Sequence, residues 1–118
     1  MSSVLLVEDE FLIRTVLVDA LAEVGLVCIE AATGQAALDV VTGAVPLSAI
    51  IVDIGLPDMS GERVIEAAAQ HRPGTPVVRC SGTSEPGSAS SPSVHVFSKP
   101  YSATGLSKFV ASLVASGL

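Results

Sequence analysis

Residues 48–54 read Ser-Ala-Ile-Ile-Val-Asp-Ile, a run that is apolar on both of the faces a β-strand presents. Such a strand needs cover on each side, and a parallel strand sandwiched between helices is the usual solution. The rest of the chain repeats the theme. Residues 4–7 form a second continuous β-prone run that stops at Glu8-Asp9, and residues 26–29, 76–80 and 94–98 read as further short strands.

Between the strands lie stretches with helical spacing. Residues 11–24 place Ile13, Val16, Leu17, Ala20, Leu21 and Val24 at that spacing, and Gly25 ends the run as a helix C-terminal glycine does. Thr33 is placed to cap a helix that carries Ala36, Ala37, Val40 and Val41 inward and closes at Gly43. Residues 60–71 form a helix with Val64, Ile65 and Ala68 on one face, broken by Arg72-Pro73-Gly74. Ser102 caps a last helix with Leu106, Phe109, Val110, Leu113 and Val114 on its buried stripe. Five strands alternating with helices predict a parallel α/β sheet, because parallel strands need crossovers, and right-handed crossovers put helices on both faces. The alternation fails once. Residues 82–93, where a fourth crossover helix is due, contain two prolines, two glycines and five serines, so a loop or at most one helical turn is expected there.

A chain of 118 residues suits one core, and the expectation is a single domain over residues 1–118. No apolar run approaches the ~18–20 residues of a membrane span. The opening Met-Ser-Ser-Val has neither basic region nor cleavage site, so no signal peptide is expected. Cys28 and Cys80 both lie in apolar runs and read as buried thiols, which makes the cytoplasm the default compartment. A formal net charge of −6, with only six scattered Lys and Arg residues, argues against direct binding to nucleic acid or an anionic membrane.

Ligands of open parallel sheets bind beyond the carboxyl ends of the strands. The polar residues there are Glu8 and Asp9 after the first strand, Asp53 near the end of the third, Ser81 after the fourth and Lys99 after the fifth. One edge would thus gather three carboxylates, a hydroxyl and an ammonium. Crowded carboxylates repel one another unless a cation sits among them, and Mg²⁺, a hard oxygen-seeking ion, relieves that repulsion. The lysine could hold a phosphoryl oxygen as a compact cation. The serine could hydrogen-bond another oxygen, and one carboxylate is left to attack phosphorus in line. Phosphoryl transfer requires little beyond such positioning and charge stabilisation.

Four pieces of the chain, in this order, resemble the receiver family of bacterial response regulators. They are VLLVEDE at residues 4–10, VDIGLPDMSG at residues 52–61, Ser81 after PVVRC, and SKPY at residues 98–101. The resemblance spans essentially the whole chain and implies a doubly wound, flavodoxin-like sheet of strand order 2-1-3-4-5. It implies a signalling module rather than a metabolic enzyme, one that catalyses its own phosphorylation from a phosphohistidine and its slow dephosphorylation. Its partners would be a histidine kinase or histidine phosphotransfer protein and a downstream protein. Position by position, Asp53 resembles the phosphoacceptor, Asp9 the direct Mg²⁺ ligand and Glu8 its neighbour acting through water. Gly55 matches the residue whose carbonyl ligates the ion, Lys99 the phosphate-binding lysine before a cis Pro100, and Ser81 the switch hydroxyl.

The pattern departs from the family in three places. Val96 stands where an aromatic that swings inward is usual, with Phe97 alternating to the opposite face. Gly82 replaces a small alanine. The helix-poor segment 82–93 falls on the family's output face, so ordering of that segment on phosphorylation is one expectation for the signal. Other classes are weaker. Aspartate-nucleophile phosphatases resemble D-x-D-x-T, which Asp53-Ile54-Gly55 lacks. A flavin carrier would need a phosphate loop where Glu8-Asp9 stands. A degenerate receiver that works without phosphorylation is the remaining alternative. Asp58 and Glu10 read as surface acids, and His71 and His95 as structural. Tyr101 reads as packing near the lysine turn or joining a binding face. Arg79, a charge inside a strand, either pairs with a carboxylate or faces solvent at an edge.

Overall fold

The computed structural model describes residues 2–81, 94–98 and 102–116. Its elements run β1 (Ser2–Val7), α1 (Phe11–Glu23), β2 (Leu26–Ala31), α2 (Gly34–Val41), β3 (Ala49–Asp53), α3 (Gly61–His71), β4 (Val77–Ser81), β5 (Val94–Ser98) and α4 (Ala103–Ser116). All strand pairs are parallel, in the order β2-β1-β3-β4-β5. This is the expected doubly wound arrangement. The segment 82–93 and Lys99, Pro100 and Tyr101 lie outside the described residues, and so do the expectations attached to them.

The reason for the sheet's double cover is visible residue by residue. Every residue of β3 is buried. Alternate residues of the strands enter two separate apolar cores. Val4, Leu6, Ala49, Ile51, Val78 and Cys80 face Leu17 and Leu21 of α1 and Leu106 and Val110 of α4. Leu5, Val7, Ile50, Val52 and Val77 face Ala37 and Val41 of α2 and Val64 and Ala68 of α3. Strand alternation thus sorts one run of apolar residues into two interiors.

Helix ends follow local chemistry. Thr33 Oγ1 accepts the Ala36 amide at 3.1 Å, and Ser60 Oγ accepts the Glu62 amide at 3.2 Å. Gly25, at φ +85°, takes the chain from α1 into β2 by a left-handed turn that a side chain would disfavour. One expected inward residue faces out: Val16 is 55% exposed, together with Phe11 and Leu12. The stripe running through Leu17 and Leu21 already fills the inner face of α1, and Val16 lies about 100° round from Leu17.

Arg72 joins the ends of two helices. Its guanidinium donates to the carbonyls of Val40, Val41, Gly43 and Val45 at 2.6 to 3.1 Å, closing the C-terminus of α2 from the end of α3.

Candidate functional site

The carboxyl ends of β1 and β3 lie side by side, with Val7 of β1 in register with Val52 of β3. The next residue of each chain segment is acidic. Glu8, Asp9 and Asp53 each offer a carboxylate oxygen, and these atoms lie within 4.8 Å of one another. Glu8 and Asp53 are buried and Asp9 is exposed, so the group opens to solvent on one side. Of the residues expected to meet at this edge, the structure brings these three together.

Each acid is set by backbone bonds of its own. The Glu8 amide donates to the Ala31 carbonyl of β2 at 3.0 Å, extending the sheet by one residue. Glu8 Oε2 accepts the Glu10 amide at 3.1 Å, which turns its side chain along the start of α1. Asp53 closes β3 in register with Cys80 of β4, and its Oδ1 accepts the Gly55 amide at 3.3 Å. Ser81 follows Cys80 by one residue and pairs with Ser98 of β5, so its backbone reaches the same edge of the sheet.

The loop after Asp53 is short and closed on itself. Gly55 and Ser60 form an antiparallel bridge, and the Gly61 amide donates to the Ile54 carbonyl at 3.0 Å. Gly61 also lies against the end of β3. A Cβ there would sit 2.6 Å from the Asp53 carbonyl oxygen and 2.9 Å from Ile54 Cα, so only glycine lets α3 start this close to the acid. A Cβ on Gly55 would meet nothing within 4 Å. Neighbour packing therefore does not require the glycine at that position.

Two residues that frame the site were not legible as such in the row of residues. Arg14 Nη1 donates to the Glu8 carbonyl at 2.9 Å, while its Nε pairs with Glu30 of β2 at 2.9 Å. The guanidinium thus fastens the Glu8-Asp9 turn to α1 and β2. The available signal was a lone basic residue on the first turns of the helix that follows the acid pair. Asp58, expected to be a plain surface acid, accepts the Gly34 and Gln35 amides at 2.8 and 3.0 Å. Those bonds hold its carboxyl below the usual carboxylate range.

The donor set fits a hard divalent cation. It consists of oxygens alone, carries up to three negative charges in a small space, and keeps one open side. A soft metal would call for thiolate or imidazole. Cys28 and Cys80 lie within β2 and β4 on the α1 and α4 side of the sheet, and His95 packs edge-on against Phe109 with centroids 5.6 Å apart. At the neighbouring position Phe97 turns to the α4 side and stacks on Phe109 at 5.5 Å, while Val96 is 44% exposed on the other face.

The model of the response regulator receiver domain family matches residues 4–108. The chain belongs to that family. Comparison with curated proteins found no match. Among solved structures, the receiver domain of the hybrid histidine kinase CckA is 26% identical, with a TM-score of 0.81 over 96% of this chain and 99% of that one. The response regulator TrrA from Thermotoga maritima, solved in complex with Mg²⁺ and BeF, gives the same identity, TM-score and coverage. A response regulator receiver protein from Sinorhizobium medicae WSM419 is 20% identical with a TM-score of 0.85 over 99% of this chain and 97% of that one, a likeness of fold. As a receiver domain, the protein is a phosphorylation-controlled signalling module, and the acidic edge described above gathers three of its carboxylates.

Proposed function

We propose that residues 1–118 form one receiver domain that takes a phosphoryl group from a phosphohistidine onto Asp53. The observation that carries this reading is the approach of the Glu8, Asp9 and Asp53 carboxylates to within 4.8 Å at the carboxyl edge of the sheet. Asp9, Asp53 and the Gly55 carbonyl would hold Mg²⁺ directly, with Glu8 acting through water. When bound, the ion supplies charge neutralisation for the phosphoryl oxygens.

The chain's own residues do the rest. An Asp53 carboxylate oxygen attacks phosphorus in line. The P–N bond to the donor imidazole breaks, the imidazole takes up a proton from solvent, and an acyl phosphate remains on Asp53. The family motif assigns Lys99 and Ser81 to the phosphoryl oxygens, Lys99 as a point charge and Ser81 as a hydrogen-bonding hydroxyl. Hydrolysis reverses the switch: water attacks phosphorus, the P–O bond to Asp53 breaks, and phosphate leaves. On this reading the module catalyses its own phosphorylation and dephosphorylation and turns over no separate metabolite.

The partners we assign are a histidine kinase or histidine phosphotransfer protein and a downstream protein. A protein donor is supported by the surface beside the acids. Helix α1 begins two residues after Asp9 and exposes Phe11 and Leu12 at 66% and 75%, an apolar patch beside the site of the kind that marks protein contacts. Direct contact with nucleic acid or membrane does not enter this reading, given the net charge of −6. We assign the protein to the cytoplasm, where free thiols such as Cys28 and Cys80 stay reduced.

The test is incubation with a small-molecule acyl phosphate and Mg²⁺, read by intact mass. Wild type gains one phosphoryl group, Asp53→Asn gains none, and chelation of Mg²⁺ abolishes the gain. Lys99→Ala retains acceptance but no longer signals to its partner. A stable label on Asp53→Asn would overturn the assignment.

A further inference from the structure

The loop at 54–60 carries the Gly55 carbonyl, and its conformation is settled at two places. At its base, Gly55 and Ser60 pair across the loop and the Gly61 amide bonds to the Ile54 carbonyl. At its tip, Asp58 reaches away from β3 altogether. Oδ1 accepts the Gly34 amide at 2.8 Å and Oδ2 accepts the Gln35 amide at 3.0 Å. Met59 lands on the same residue: a Cβ on Gly34 would meet Met59 Cγ, and would lie 2.6 Å from its Sδ. Two consecutive loop residues therefore seat on the start of α2, Asp58 by a two-pronged carboxylate on Gly34 and Gln35 and Met59 by packing on Gly34.

Part of the cap of α2 thus comes from outside its own segment of chain. The first turn of α2 already has its own cap, since Thr33 Oγ1 takes the Ala36 amide and the Thr33 carbonyl takes the Ala37 amide. Asp58 fills the two remaining donors from across the molecule, 24 and 23 residues away in sequence. Its negative charge is also well placed beside the positive end of the helix dipole. Only four residues separate the bridged pair Gly55 and Ser60. The tip is thus tied to α2 within three residues of the Gly55 carbonyl, on a loop also closed at its base.

We propose that Asp58 is a positioning residue for the phosphoryl site, clipping the 54–60 loop to α2 so that the Gly55 carbonyl is held ready for the cation. The inference rests on the receiver reading above and adds to it an anchor on a helix that carries none of the assigned ligands. Outer partners of this kind set the orientation of metal ligands and commonly govern affinity.

The experiment measures Mg²⁺ affinity by calorimetry or by amide chemical shifts of residues 8, 9 and 53–55, using the whole chain and Mg²⁺ alone as probe. Wild type and four variants are compared: Asp58→Ala, Asp58→Asn, Gly34→Ala and Thr33→Ala. Asp58→Ala is expected to weaken Mg²⁺ about tenfold, the lower end of what losing an outer partner costs. Asp58→Asn keeps one acceptor and falls between. Gly34→Ala displaces Met59 without altering any charge and weakens Mg²⁺ in the same direction. Thr33→Ala loosens the helix end but not the clip, and leaves the affinity at the wild-type level. Far-UV circular dichroism and a denaturant midpoint for each variant separate lost folding from lost affinity. Wild-type affinity in both Asp58→Ala and Gly34→Ala overturns the proposal. So does weakening in Asp58→Ala alone, which would mark a bare effect of charge, or equal weakening in Thr33→Ala. If wild type itself binds no Mg²⁺, the receiver reading fails first and the clip falls with it.

Discussion

The Arg79 guanidinium meets the Glu62 carboxylate at 2.6 Å, joining a strand inside the sheet to the first turn of α3. Arg79 lies on β4, flanked by β3 and β5, and only 3% of it is exposed. The pair explains a charge that looked out of place in the row of residues. It also leaves Arg79 Nη1 without a hydrogen-bond partner among the described residues.

Removing one member of this pair should cost more than removing both. Glu62→Ala strands a buried guanidinium and is expected to lower stability by about 3 kcal/mol. The double variant Glu62→Ala with Arg79→Met fills the same space with an apolar chain and should recover most of that loss. Urea unfolding of the three proteins checks the ordering. Equal losses in the single and double variants would show that packing, not charge, decides.

The acid group should make the ion-free protein less stable than it need be. Asp9→Asn removes one like charge from beside two buried carboxylates and is expected to raise stability in Mg²⁺-free buffer by a few tenths to about 1 kcal/mol, small because Asp9 is exposed. Saturating Mg²⁺ should stabilise wild type through preferential binding to the folded state, and Asp9→Asn much less. Denaturant midpoints with and without the ion read both effects.

Arg72 should matter to folding and not to chemistry. Its four hydrogen bonds to α2 and the following carbonyls come from one charged group, and Arg72→Ala is expected to cost about 2 to 3 kcal/mol. Arg72→Lys cannot reproduce the planar fork and should recover only part. Phosphorylation of the folded fraction, measured by intact mass, should be unchanged in both.

Asp58 should give the acid limb of stability a specific contributor. The Gly34 and Gln35 amides, which favour the charged carboxylate, hold its folded pKa below the ordinary 3.8 of a free aspartate. The sign follows directly: a group with a lowered folded pKa stabilises the fold above its unfolded pKa, and that contribution disappears as pH falls through the folded one. The stability gap between wild type and Asp58→Asn should thus be open at neutral pH and narrow as the medium becomes more acid than the usual carboxylate range. A carboxyl titration by nuclear magnetic resonance with a midpoint at or above 3.8 would contradict it.

The fold was readable because its signals are local. Apolar runs in β1 and β3, the glycine after α1, and the Thr33 and Ser102 caps are each written within a few adjacent residues, and the structure places elements within a residue or two of those marks. The meeting of Glu8, Asp9 and Asp53 was likewise readable, since parallel strands put their carboxyl ends on one edge. The roles of Asp58 and Arg14 were not, and for Arg79 pairing with a carboxylate was one of two alternatives, with no partner named. Asp58 bonds backbone amides, which every residue carries, and Arg14 bonds the Glu8 carbonyl and an acid 16 residues away on β2, so only a lone basic residue after the acid pair hinted at it. Arg79 depends on an acid 17 residues earlier, across a crossover whose geometry only the folded chain supplies. Val16 misled because an apolar residue on the flank of a helix keeps the same spacing as one on its inner stripe.

The sheet divides the apolar interior into two compartments that share no residue. Substitutions that reshape one compartment, such as those at Leu21 of α1, therefore need not be compensated in the other, which holds Val64 of α3. Changes on opposite sides should combine close to additively. Each pair of helices is free to diverge at its own pace, while the strands between them keep the acidic edge in place.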